Sequence, residues 1–148
     1  MKVATHGLAA WGLGYSRVHV TCTAAMGMVT GAPLSQDTIV TFPDGHETHG
    51  LPKHLEDMKA MFVPMPDLAI SEHPIKIANG DWTAVVGCMT GTFTKPMPLG
   101  NGKFAQPTGK MLNLVMATIG HWTDAGVMDH EWLFWDNQAY MKQLGLAP

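Results

Sequence analysis

Charged residues are scarce in this chain. Asp, Glu, Lys and Arg make up 14% of its 148 residues, whereas 46% are hydrophobic. An average soluble protein carries roughly 25% charge, so much apolar surface here has to be hidden in a core, a pocket or a subunit interface. There is no long run of either sign, and a net charge of −3 provides no basic footprint for nucleic acid or an anionic membrane. Cysteine is nearly absent. Cys22 and Cys88 form neither a CxxC pair nor a zinc spacing, and a secreted disulfide framework needs a denser set. A long hydrophobic run is missing too. Val18 to Gln36 is uncharged but rich in Thr and Gly and contains Pro33, so it does not read as a membrane span. The apolar stretch after Met1-Lys2 is interrupted by His6, Gly7, Gly12 and Gly14, which makes a poor signal-peptide core. The expectation is a cytoplasmic protein with reduced thiols and no nucleic-acid or membrane partner.

What is present fits one domain spanning residues 1–148, long enough to remove roughly 70% of its unfolded surface from water. Residues 1–36 mix Ala and Leu with repeated Gly and are expected to be helical. Thr38-Ile39-Val40-Thr41-Phe42 is a β-branched strand stopped by Pro43-Asp44-Gly45. Gly50-Leu51-Pro52 opens a helix with Leu55, Met58, Met61 and Phe62 on one side, and Pro64 and Pro66 end it. Four strands follow, at 68–77, 82–93, 109–122 and 127–135, with turns at Asn79-Gly80-Asp81 and Asp124-Ala125-Gly126. Residues 95–108, with Pro96, Pro98, Gly100, Gly102 and Pro107, read as a long loop at a pocket mouth. A short helix over 136–144 is capped by Gly145. Helices segregated from a run of antiparallel strands define an α+β domain.

Phe42-Pro43-Asp44-Gly45, Pro66-Asp67-Leu68, Asn79-Gly80-Asp81, Gly91-Thr92, Pro107-Thr108-Gly109-Lys110, Trp132, Asp136 and Gln143-Leu144-Gly145 occur in an order that resembles the SnoaL-like family over residues 38–148. The resemblance implies a cone-shaped α+β barrel, a curved antiparallel sheet wrapped around N-terminal helices, as in ketosteroid isomerase, scytalone dehydratase and nuclear transport factor two. It also implies a deep pocket for a small apolar molecule and a homodimer formed through the outer face of the sheet. Reactions differ widely within this group, so the resemblance implies a pocket more than a reaction. Polyketide cyclases of the family use an aspartate on the last strand as acid/base. Counting back from Gln143-Leu144-Gly145, Leu133 stands at that place, and the cyclase mechanism does not transfer residue by residue.

Strand alternation puts Asp129, Glu131, Leu133 and Trp135 on one face of the last strand. If that face lines the cone, desolvation raises the Glu131 pKa and makes it a useful acid or base near neutral pH. The alternative is that Asp129 and Glu131 lie hydrated near the mouth, paired with Lys110 or His121. On the preceding strand Asn113 and His121 share the odd-numbered face with Val115, Ala117 and Ile119. His121 either assists Glu131 or is satisfied beside the Thr123-Asp124 turn. Asn113 either holds a ligand carbonyl or bonds to the sheet or a helix. The expected catalytic set is Glu131, His121 and Asp129; the expected ligand-binding set is Asn113, Trp135, Leu133, Ile119, Val115 and Ala117. Asp136 reads as a helix cap.

His46, His49 and His54 with Glu47 suggest a metal, but their spacing matches no ligand motif, and exposed turn histidines or histidines at a pocket rim are the favoured readings. No cofactor or metal is expected. There is no GxSxG or phosphate loop. The leading expectation is an isomerase, dehydratase or cyclase in which Glu131 moves a proton next to a carbonyl, with His121 or Asn113 supporting the oxygen charge. A non-catalytic dimeric binding module is the competitor.

Overall fold

The computed structural model describes residues 34–148. The helix expected over 1–36 therefore lies outside the described residues for positions 1–33, and positions 34–36 open a strand instead. In chain order the elements are β1 (Leu34–Thr41), β2 (Glu47–His49), α1 (Leu51–Phe62), β3 (Ala69–Asn79), β4 (Trp82–Thr92), β5 (Met97–Gly100), β6 (Lys103–Ala105), β7 (Met111–Trp122), β8 (Met128–Trp135) and α2 (Asn137–Gln143).

Six strands form one curved sheet in the order β2-β1-β8-β7-β4-β3. The strands β3, β4, β7 and β8 pair antiparallel, through turns that the sequence announces. Gly80 takes a φ of 59° in the tight turn that pairs Asn79 with Trp82. The sheet is not antiparallel throughout, because β1 runs parallel to β8. That pairing places the beginning of the described chain beside its end, which no local sequence signal announces.

Alternation assigns the two faces. On β7 the even positions from Leu112 to Trp122 are buried, whereas Met111, Asn113 and Val115 are exposed. Val40, Phe42, Met89, Phe93, Leu112, Leu114, Met116 and Leu133 make one core on this inner face together with Met65, Leu68 and Leu144. The helix α1 packs on β1 and β2, and α2 packs on β7. Asp136 caps α2 by accepting from the Ala139 N–H at 2.9 Å.

The segment expected as a bare loop contains a hairpin. β5 and β6 pair around Gly100-Asn101-Gly102, all three at positive φ. Met97 and Ala105 pack on the core and fasten the hairpin to it, which offsets the prolines that make the segment look irregular.

Two motif residues hold the sheet in place. Asp67 accepts from the Thr92 N–H at 2.8 Å and from the Thr92 hydroxyl at 2.7 Å, tying the end of α1's exit turn to β4. Gln143 accepts from the Asn113 N–H at 2.7 Å and donates to the Asn113 carbonyl at 3.0 Å. Its side-chain amide replaces the strand neighbour that β7 lacks there, since the β8 ladder begins only at Met116.

Candidate functional site

One row across the inner face defines the site. Thr48 pairs with Val40, Val40 with Glu131, Glu131 with Gly120, and Gly120 with Thr83. Glu131 is 3% exposed, Thr48 2% and Val40 0%. A carboxyl group thus stands among apolar residues and hydroxyls. Burial pushes the Glu131 pKa up to about 7, because the charged form loses its hydration.

His54 lies on α1, which packs on β1 and β2. Its position, four residues before Met58, puts it on the buried face of α1, where it is 5% exposed and its ring lies 6.4 Å from that of Phe42. Desolvation holds it below the ordinary histidine range, so the imidazole is neutral at pH 7.

Four buried polar atoms here have no hydrogen-bond partner: Thr38 Oγ1, Thr48 Oγ1, His54 Nδ1 and Glu131 Oε1. A fifth, Ser35 Oγ, belongs to a half-buried residue at the start of β1. Each such orphan costs about 1–3 kcal/mol, a penalty a folded chain retains for a reason. Next to Glu131, Gly120 leaves room that the Met128 thioether occupies; a Cβ there would stand 2.7 Å from Met128 Cε. Thr83, at the far end of the row, accepts from the Trp122 Nε1–H at 2.9 Å and is satisfied.

The structure brings together only part of the expected set. Glu131 and Leu133 are both on the inner face, and Trp135 packs against the core there, edge-on to Phe42 with ring centroids 6.5 Å apart. Asp129 is not beside Glu131. His121 pairs with His130 and Trp122 with Met128, so Asp129 is the extra residue of a bulge, and the alternation that placed it inside breaks there. It lies instead on the outer face, 2.6 Å from His121 Nδ1. The His121 and Trp82 rings lie 4.8 Å apart, and Trp82, Trp132 and His130 continue this outer aromatic cluster.

Asn113, Val115, Ala117 and Ile119 face outward as well, because β7 is apolar on both faces and its core side is the even one. Val115 and Ala117 line an open groove of about 560 Å³ with Val86 and Phe134 of the outer face and with Phe42, Met116 and Trp135, which also pack in the core. His46 and His49 are exposed and each lies beside a neighbouring carboxylate, Asp44 and Glu47. Among the described residues no three His, Cys, Asp or Glu side chains converge as a metal site.

Thr38 and Thr48 are buried residues that sequence reasoning does not single out, and it names His54 only among the histidines weighed as metal ligands, turn residues or pocket-rim groups. A signal for His54 exists in its helical spacing from Met58. For the threonines there is none, since a β-branched hydroxyl residue is equally at home on either face of a strand.

A curved sheet with helices packed on its inner face is the α+β cone fold of ketosteroid isomerase-like proteins. Within that class the chain belongs to the SnoaL-like polyketide cyclase family, whose sequence model matches residues 29–144. Solved structures agree in fold. A protein assigned as a SnoaL-like polyketide cyclase from Jannaschia sp. CCS1 is 18% identical, with a TM-score of 0.77 over 100% of this chain and 97% of that one. AclR from Streptomyces galilaeus, assigned as a hydroxylase, is 19% identical, with a TM-score of 0.71 over 99% and 89%. A Catenulispora acidiphila DSM 44928 protein of ketosteroid isomerase-like fold, solved with trimethylamine, is 12% identical, with a TM-score of 0.63 over 96% and 93%. No curated protein sequence matches the chain. Among the described residues no helix is long and apolar enough to cross a membrane.

Proposed function

We propose that the protein is a proton-transfer enzyme of the isomerase, dehydratase or cyclase kind, acting on a small, largely apolar carbonyl compound held against the inner face of the sheet. One observation carries this reading: a fully buried carboxyl, Glu131, with an unpartnered oxygen and a pKa pushed up to about 7. An ordinary core would exclude such a group or pair it. An acid poised near neutrality exchanges protons in both directions. As carboxylate, Glu131 removes a proton from the carbon next to the carbonyl; as carboxylic acid, it returns that proton to another atom of the same molecule. His121 and Asn113 do not support the oxygen charge in this scheme, since they face the other side of the sheet.

The test works without identifying the product. Steroid, polyketide-like aromatic and terpenoid ketones are incubated with the protein in heavy water, and deuterium uptake is read by mass spectrometry. Exchange that disappears in Glu131→Gln while ligand binding persists supports the reading. Binding without exchange in the native protein favours the non-catalytic binding module.

The outer face supports a second element of the proposal, a homodimer. Ile75, Ile77, Trp82, Val115 and Phe134 are each about half exposed or more on that face, in a chain with little charge to solvate them. Light scattering of native protein and of Val115→Glu tests it: a native dimer and a monomeric variant are expected.

A further inference from the structure

We infer that Thr38, Thr48 and His54 form, with Glu131, a polar end to the ligand site, and that the ligand is an uncharged apolar molecule with a hydroxyl, enol or carbonyl oxygen at one end. The inference rests on the proposed inner-face pocket, and adds which residues meet the ligand and which chemical class fits.

The four groups come from four elements: β2 and β8 pair with β1 at Val40, and α1 packs on β1 and β2. Val40 lies between Thr48 and Glu131, each one strand spacing of about 5 Å away. Thr38 precedes Val40 by two residues and so shares its face. Gly50, at a φ of 86°, turns the chain from β2 into α1 and donates its N–H to the Thr38 carbonyl at 2.8 Å. The His54 N–H then donates to the Gly50 carbonyl at 3.1 Å, so the first turn of α1 is hung from β1 at Thr38. Each residue is at least nine-tenths buried, and each has a polar side-chain atom without a partner.

Four orphans from separate elements are not the leftovers of one badly fitted loop. They mark a place where the protein has kept hydrogen-bonding capacity away from water, and a ligand oxygen is the group that uses it. Hydroxyls donate or accept, and a neutral imidazole nitrogen does one or the other. One ligand oxygen that accepts from two such groups, or donates to one and accepts from another, matches this mixture. An anionic ligand does not match, because it would lie beside Glu131 and the described residues include no buried Lys or Arg. A purely hydrocarbon ligand would leave all four orphans as they are.

A matched series of flat probes tests this at pH 7 on the full chain by calorimetric or fluorescence titration: 2-naphthol, 2-methylnaphthalene, 2-naphthoate and 2-naphthylmethylammonium. The expected result is that 2-naphthol binds at least about tenfold more tightly than each of the other three. In Thr38→Val/Thr48→Val that preference is expected to fall to near unity while 2-methylnaphthalene binding is kept. The same variant, without ligand, is expected to unfold at a higher temperature than the native protein, because valine matches threonine in shape and leaves no orphan. Hydroxyls with a structural role would lower it.

The single variants Thr38→Val and Thr48→Val provide the same comparison if the double one folds poorly. Retention of the preference in the variants overturns the role of the threonines. Tighter binding of the ammonium or the naphthoate overturns the uncharged ligand class. Equal binding of all four overturns the polar end but leaves the proposed pocket standing, whereas binding of none removes the pocket itself.

Discussion

Glu131 and Gly120 face each other across the β7–β8 ladder, a buried acid opposite a residue with no side chain. The space above Gly120 is taken by Met128 Cε and Sδ and by Thr83 Oγ1, which a Cβ there would approach to 2.7, 3.0 and 3.1 Å. Gly120→Ala is therefore expected to overpack the site. The cost is expected at about 1–3 kcal/mol, near the low end because a methionine tail yields easily. A melting temperature lower by about 2–4 °C per kcal/mol, with slower deuterium exchange, checks it.

Glu131 sets the sign of a pH dependence. Its pKa rises from an ordinary 4.5 to about 7 in the folded protein, so the native state holds the proton more tightly than the unfolded chain. Its contribution to stability is complete below about pH 4.5 and is lost as pH rises through about 7, with a total on the order of 3 kcal/mol. Denaturant titrations of native protein and Glu131→Gln at a series of pH values are expected to show a decline toward alkaline pH that is absent from the variant.

His54 acts in the opposite direction. Burial depresses its pKa, so the unfolded chain takes up a proton more readily, and stability is lost as pH falls below the ordinary 6.5. His54→Gln is expected to flatten the acid side of the stability profile and leave the alkaline side as in the native protein.

The hydrogen-bonded pair of His121 and Asp129 is about one-third exposed on each side chain and sits on the outer face. Asp129→Asn and His121→Gln are expected to leave deuterium exchange unchanged and to cost at most about 1 kcal/mol. Loss of exchange in either variant would return them to the mechanism.

Gln143 closes the open edge of β7 with two hydrogen bonds to Asn113. Gln143→Leu leaves those backbone groups to water. It is expected to destabilise by about 1–3 kcal/mol, read as a lower denaturation midpoint, with faster amide exchange at the Asn113 end of β7.

Much is legible in the sequence because it is local. The turn residues after Phe42 and Asn79, the proline-opened helix at Leu51 and the β-branched or aromatic strands each carry their signal within a few neighbours. Glu131 is legible as a candidate because strand alternation puts it on the same face as Leu133, the place where the resembled cyclases carry their aspartate. The inner face of β7 is not. Met111, Val115, Ala117 and Ile119 are as apolar as Leu112, Leu114 and Met116, so period-two alternation identifies two faces without saying which is inside. Nor is the bulge at Asp129, which depends on how β8 registers against β7.

The sequence by itself determined α1, the long strands β3, β4, β7 and β8, the α+β class and the family, since turn chemistry and hydrophobic periodicity act over short separations; the β5–β6 hairpin and the start of β1 it did not. Only the tertiary structure decided which face is enclosed. It also decided that β1 lies parallel to β8, and that Thr38, Thr48, His54 and Glu131 are each buried. Those outcomes depend on contacts between residues up to about ninety positions apart, where burial and pairing are settled by the whole sheet rather than by any segment of it.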